Sequence, residues 1–392
     1  MSSDRPPGSP AGPAGQPGDA DVAAFAAAGL YDPDAPGADD RLALLRWLAE
    51  QGFGIAEMQA AQQGRGLTGL AGDRHLRPGG TLTAAEVAAR AGLRPGQVEE
   101  VLLAAGLPDP GTTGRFDDAD VPTFETFRQA MALFGEQPTL RLTRVLGTSM
   151  ARIAEAAVSM FQVNVEANLV GEEAGELALA RANLAAVRSL DALGTALTGL
   201  LRLHVEQTVR RTRSARAPHD PYGSRQLAVG FVDLVGYTPL VHELGTADLA
   251  GLVEEFEDRA NAVVTRHGGR LVKHIGDAAM FVATDAAAAC RIGADLLAWT
   301  GKGARPLAPH GGIAVGSLLA RGGDYYGPEV NLAARLAELA VPGEILVTTA
   351  VADALGPEPT EALHIEPAGR RMVRGFPEPV TLYALTRRTP SP

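Results

Sequence analysis

The sequence predicts an α+β domain of ferredoxin-like (βαββαβ) type, preceded by an all-α domain. Three observations lead there. Up to about residue 213, apolar residues recur at helical spacing in Ala- and Leu-rich runs. The stretch Ser214–Ser224 then contains Pro218, Pro221 and Gly223, the composition of a linker. Beyond it, short β-rich runs alternate with helical ones in the order strand, helix, strand, strand, helix, strand, the signature of a split βαβ unit.

The elements follow in chain order. Residues 1–20 are rich in Pro, Gly and Ser and read as a disordered tail. Residues 21–213 form the helical domain. Within it, Asp40–Gln51 places Leu42, Leu45 and Leu48 at helical spacing, and Leu82–Ala105 reads as two short helices broken at Gly92–Gly96. Val121–Phe134 is a further helix, and Thr139–Arg213 a long helical region with Gly171 and Gly175 as breaks. The second domain spans residues 225–386. It opens on a β-rich run, Leu227–Val232, and a helix, Asp248–His267, stopped by Gly268–Gly269. Strands Arg270–Ile275 and Ala278–Ala283 flank a tight Gly276–Asp277 turn. Helix Ala286–Trp299, strand Gly312–Leu319, helix Val330–Ala340 and strands Glu344–Thr348 and Val380–Leu385 complete it.

Composition narrows the function. The chain has 392 residues, 46% of them apolar, and a net charge of −11. An acidic chain lacks the excess cations of a broad nucleic-acid binder. The one cysteine, Cys290, cannot form an internal disulfide and sits in an Ala-rich run that suits burial. We see neither a secretory signal nor an apolar run long enough for a membrane span, so the expected location is the cytoplasm.

Two carboxylates stand at positions that can converge. Asp233 ends the strand run FVDLVGYT and Asp277 lies in the hairpin turn of VKHIGDAAM. A pair of carboxylates suits Mg²⁺ ions bound to a triphosphate, because Mg²⁺ takes few protein ligands and completes its shell with phosphate oxygens. In a third segment, DYYGPEVNLAARL, Asn331 and Arg335 are i and i+4 on one helix face. An amide beside a guanidinium suits a sugar–phosphate ligand.

Together these three segments, in this order, resemble the signature of the class III adenylate cyclase catalytic domain. The resemblance covers about residues 225–385, and VRGFPEPVTLYAL resembles the family's terminal strand. It implies an enzyme that converts ATP to 3′,5′-cyclic AMP and pyrophosphate with two Mg²⁺ or Mn²⁺ ions per site. By resemblance, Asp233 and Asp277 are the metal ligands, Lys273 and Asp324 contact adenine, Asn331 orients the ribose and Arg335 stabilises the transition state. His274 follows Lys273 on a strand and is expected on the opposite face, packed or solvated and not a general base. The resemblance further implies a head-to-tail homodimer with active sites at the interface. A guanylate or mixed-specificity cyclase is the alternative enzyme, and a DNA-binding regulator with a nucleotide-sensing cyclase-like domain the alternative of another class.

The run from Phe116 to Glu155 resembles the regulatory region of soluble actinobacterial cyclases that respond to pH. This implies a helical domain that inhibits or activates the catalytic half, with a proton as effector; separately, the long apolar helices, Met150–Leu200, read as core and dimer interface, with a bound lipid (a fatty acid) as the alternative. His204 and His310 are the regulatory candidates, since histidine titrates near neutrality. Thr83–Leu103 also has helix-turn-helix texture, but its second helix carries Glu99 and Glu100, which suit phosphate poorly. The cations Arg210, Arg211, Arg213 and Arg216 read as a solvated helix end, with docking on the acidic catalytic half as the alternative.

Overall fold

A computed structural model describes residues 17–64, 66–108, 111, 116–171, 174–214, 224–235, 244–299, 308–355 and 363–387. It divides into two compact units, Met1–Leu201 and Arg202–Pro392. The linker expected at 214–224 lies almost wholly outside the described residues, as does most of the N-terminal tail. Where the tail is described, it is helical from Pro17, because Phe25 is drawn into the first core.

The first unit is helical. Its helices are α1 (Pro17–Ala27), α2 (Ala38–Glu50), α3 (Ile55–Gln63), α4 (Leu70–Leu76), α5 (Ala84–Ala91), α6 (Gln97–Ala104), α7 (Val121–Phe134), α8 (Glu136–Phe161) and α9 (Ala167–Gly171). A tenth, α10 (Glu176–Ser214), begins in this unit and ends in the second. The expected break after Gly171 is present, and a π-helical turn, Gln162–Glu166, also interrupts the long region.

Two cores hold the unit. Leu44, Leu45 and Leu48 of α2 pack with Met58 of α3 and with Ala180 and Leu184 of α10. Val87, Val98, Val101 and Leu140 join α5, α6 and α8 around Phe116 and Phe124, whose rings meet edge to face at 5.8 Å. The helix pair at 84–104 starts with a capping box, in which Thr83 and Glu86 exchange backbone and side-chain hydrogen bonds. It turns at Gly92, whose φ is +70°. Glu99 and Glu100 lie in the first turn of the second helix, where a reading helix would meet phosphate.

In the second unit the described strands are β1 (Ser224–Val235), β2 (Arg270–Ile275), β3 (Ala278–Ala283), β4 (Ala308–Arg321), β5 (Asp324–Tyr326), β6 (Ile345–Thr348), β7 (Leu363–Arg371) and β8 (Val380–Arg387). The helices are α11 (Thr246–Arg266), α12 (Ala286–Leu297), α13 (Pro328–Leu339) and α14 (Thr349–Leu355). The sheet runs β2-β3-β1-β4-β6-β8-β7, with β5 paired to β4. Its first four strands are the expected ferredoxin-like set: α11 carries β1 over to β2, and β3 slots between them antiparallel to both.

Alternation along β1 assigns the two faces. Ala228, Val232 and Leu234 point to a core filled by α11, α12 and α14. Leu227, Val229 and Phe231 point to the other face, covered by α13 and by Tyr325 of β5. Asp233 continues this second series.

Helix α13 lies close on the sheet because β4 has no side chain beneath it. A Cβ at Gly312 would come within 2.3 Å of the Ala333 carbonyl oxygen and 2.5 Å of Leu336 Cβ. The contact is backbone on backbone, so no rotamer change relieves it. Gly312→Ala is expected to destabilise the unit by about 1–3 kcal/mol. Thermal unfolding of the variant, read as a lowered Tm, checks this.

Candidate functional site

Strand pairing brings the two predicted carboxylates together. β1 pairs with β3 as far as Val232 opposite Ala279. One step further along both strands, Asp233 reaches the level of Ala278, the residue after Asp277. Gly276, with φ of +62°, makes the two-residue turn that carries Asp277. Asp233 also accepts from the Leu234 N–H at 2.9 Å, which fixes one of its oxygens.

The electrostatics record this proximity. The Asp277 carboxyl is pushed up to about 6, first by partial burial and then by the charge of Asp233. A hydrogen bond from its own backbone and the positive side of His310 act in the opposite sense. His310 sits opposite Asp233 in the β1–β4 register. Its Nδ1 lies 3.1 Å from the Ala340 carbonyl, which can only accept, so Nδ1 carries a proton. Its Nε2 then faces Asp233 Oδ2 at 3.9 Å. The sequence marked His310 as a regulatory candidate without a partner, and the structure gives it one.

Two carboxylates that repel each other fit a divalent cation. Among the described residues no group of three or more His, Cys, Asp or Glu converges to hold one. Phosphate oxygens or water would therefore supply the rest of the shell, the usual situation for Mg²⁺.

The second predicted pair is also assembled. Lys273 of β2 and Asp324 of β5 form an ion pair through Nζ and Oδ2. Asp324 follows a two-glycine turn, Gly322–Gly323, with φ values of +62° and +85°, the conformation a type I′ hairpin requires. His274 lies on the opposite face from Lys273, as expected. Its ring meets Phe256 at 6.3 Å between centroids, and its Nδ1 is buried without a hydrogen bond.

Asn331 and Arg335 project from the outer side of α13, while Ala333, Leu336 and Ala337 pack inward. Within one chain, no described hydrogen bond or ion pair joins either residue to Asp233 or Asp277. Arg335 instead pairs with Glu338, one turn on. That partner was open to sequence reading, since i and i+3 are neighbours on a helix. His204 is exposed on α10.

The basic cluster behaves in two ways. Arg210 pairs with Glu206 in the manner of a solvated helix. Arg211 is half-buried and donates to the Gly269 carbonyl at 3.1 Å, so this residue docks. Arg216 lies outside the described residues. Cys290 is fully buried, and burial pushes its thiol up to about 12.

The α10 helix departs from expectation. By length and composition alone it is apolar enough to cross a membrane, and little of it is buried. Leu200, Leu201, Leu203 and Val205 are more than half exposed. A cleft of about 660 Å³ in the first unit is lined by the charged residues Asp32, Asp40, Arg41 and Glu176 beside Leu30 and Tyr31, a mixed lining for an acyl chain.

Comparison with known proteins follows the same division. The family description "Adenylate cyclase regulatory domain" matches residues 26–209. "Adenylate and Guanylate cyclase catalytic domain" matches residues 310–387, a stretch that holds Asp324, Asn331 and Arg335 but not Asp233, Lys273 or Asp277. An uncharacterised protein of Mycobacterium tuberculosis is 37% identical over 93% of this chain and 94% of its own length. An adenylate cyclase of Streptomyces coelicolor is 31% identical over 64% of this chain and 66% of its own. A pH-sensitive adenylate cyclase of Mycobacterium tuberculosis is 29% identical, covering 89% and 88% respectively. Among solved structures, the adenylyl cyclase CyaB from P. aeruginosa covers 43% of this chain and 96% of its own, with 26% identity and a TM-score of 0.39.

The raised Asp277 carboxyl sets a pH dependence. A proton bound at about pH 6 in the folded state, against 3.8 for the free side chain, favours the folded state at low pH. Metal-free protein should therefore lose stability as pH rises from about 4 through 6. A divalent ion held by this pair would compete with that proton, so Mn²⁺ affinity should rise by about tenfold per pH unit below 6 and level off above. Titration calorimetry of nucleotide-free protein at several pH values checks both the slope and the plateau.

Proposed function

Since the chain belongs to the class III adenylate cyclases, we propose that it converts ATP to 3′,5′-cyclic AMP and pyrophosphate at a composite site built by two copies of itself. One observation carries the composite site. Asp233 and Asp277 face each other within a chain, whereas Asn331 and Arg335 point outward from α13 and meet neither. A head-to-tail pair of chains supplies one set from each copy, and two-fold symmetry then gives two equivalent sites.

In this reading Asp233 and Asp277 hold Mg²⁺ or Mn²⁺. The bound ions supply charge neutralisation on the phosphates and a lowered pKa for the ribose 3′-hydroxyl. Asn331 orients the ribose. Arg335 donates to the α-phosphate oxygens, whose charge grows as the 3′-oxygen attacks phosphorus and pyrophosphate leaves. Arg335 first leaves Glu338, an exposed pair of small worth.

The Lys273–Asp324 pair supports ATP over GTP. Asp324 accepts from adenine N6 and Lys273 donates to N1. Guanine presents the reverse pattern, with O6 facing the carboxylate, and a site built for hydrogen bonding rejects such a mismatch. The helical domain is proposed to set the activity, with a proton as effector, His204 and His310 as the titrating candidates and α10 as the connection. The charged residues in the cleft's mixed lining make a lipid effector the weaker of the two. The uncovered leucines of α10 suit the interface of a homodimer working in the cytoplasm.

Arg335→Ala should lower kcat by about 10²–10³. Asp233→Ala should be inactive as well. Mixing the two inactive variants should restore about a quarter of wild-type cyclic AMP production, because half the dimers then hold one intact site of two. A mixture that stays inactive although the subunits are shown to exchange refutes the composite site. Asp324→Ala should collapse the ratio of kcat/KM for ATP over GTP, measured with both nucleotides in parallel.

A further inference from the structure

The base-reading pair is supported by an arginine that the family signature does not include. Arg270 opens β2, three residues before Lys273. Its side chain crosses to the β4–β5 hairpin. One terminal nitrogen donates to the Gly323 carbonyl at 2.8 Å, and the other lies 3.5 Å from the Tyr325 hydroxyl. The guanidinium carbon stands 5.7 Å from the centre of the Tyr325 ring. Asp324 lies between those two partners in sequence. Arg270 thus grips both residues that flank the carboxylate.

This grip has work to do. The turn before Asp324 is Gly322–Gly323, the most permissive dipeptide available, and β5 is three residues long. Asp324 Oδ1 accepts from the Tyr325 N–H at 2.8 Å, so the carboxylate points where the backbone of this short hairpin holds it. Its ion pair with Lys273 is half-exposed and so contributes modestly to rigidity.

A second contact reaches the same strand. Arg211, in the last turn of α10, donates to the carbonyl of Gly269, the residue before Arg270. Burial and the nearby Arg270 both favour a less charged Arg211. Among the described residues neither guanidinium has a carboxylate partner. Two like charges therefore stand side by side, each held by a backbone carbonyl.

We propose that Arg270 is a positioning residue for nucleotide selection: it clamps the hairpin that aims Asp324, and Arg211 seats the strand from which it reaches. The long helix then adjusts substrate selection and affinity, not the reacting phosphate. The proposal rests on the reading of Lys273 and Asp324 as the base-binding pair.

The test uses the full-length chain, with ATP and GTP kinetics for Arg270→Gln, Arg270→Lys, Arg211→Gln and Asp324→Ala. Arg270→Gln should raise the KM for ATP by about tenfold and lower the ATP-over-GTP ratio by a similar factor, with kcat changed by less than about threefold. Arg270→Lys keeps one donor for the Gly323 carbonyl and should recover part of the ratio. Arg211→Gln should show the same KM-selective pattern at smaller size. If Arg270→Gln lowers kcat for both nucleotides in parallel with Tm, or leaves the ratio unchanged while Asp324→Ala collapses it, the clamp is overturned and the base-reading pair stands. If Asp324→Ala itself leaves the ratio unchanged, the base-reading pair falls and the clamp with it. If Arg270→Gln shifts the ratio and Arg211→Gln does not, the part assigned to the helix is overturned.

Discussion

The second unit is organised around a repulsion. Antiparallel pairing of β1 with β3 sets Asp233 beside Asp277, and neither strand can shift by one residue without turning its buried side chains to the wrong face. The hydrophobic alternation of β1 and β3 thus enforces a contact between like charges. Partial burial strengthens that repulsion by lowering the local dielectric, and together they push the Asp277 carboxyl up to about 6. In the proposed reaction a divalent ion held between the two carboxylates would relieve that repulsion, and the register of the sheet is what sets them side by side.

The two sheet faces are covered unequally. Three helices fill one, and α13 with Tyr325 fills the other. The thinner face carries Asp233, Lys273 and His310. Gly312 lets α13, the helix that carries Asn331 and Arg335, settle low over β4. An outward-facing amide and guanidinium on a low, firmly seated helix suit a ligand held by someone else's carboxylates. This is the physical sense of the site proposed to be shared between identical chains.

Much of this was legible in the sequence, and the limits have clear causes. The β2–β3 hairpin was readable because Gly276–Asp277 is short-range turn chemistry, and the βαββαβ order because the hydrophobic period switches between helix and strand. The convergence of Asp233 with Asp277 was suggested by position, but only the pairing of β1 with β3 explains it. Strand β7 was missed: its run LHIEPAGRR contains Pro and Gly, and only pairing with β8 through a bulge makes it a strand. The π-helical turn at Gln162–Glu166 leaves no compositional mark. The docked Arg211 differs from its solvated neighbour Arg210 by nothing except helical phase, and the Gly269 carbonyl it meets is 58 residues away. His310 was read as a lone titrating group because its partners, Asp233 and the Ala340 carbonyl, come from other elements.

The burial of Cys290 has a consequence for how the protein meets its chemical surroundings. The chain owns a single sulfhydryl, sealed in α12 beneath the sheet and held firmly in its protonated form. Thiolates, not thiols, react with disulfides and peroxides. An oxidant therefore finds no purchase here until the core of the second unit opens. Thiol oxidation in this protein would be a symptom of unfolding, not a signal to the native enzyme.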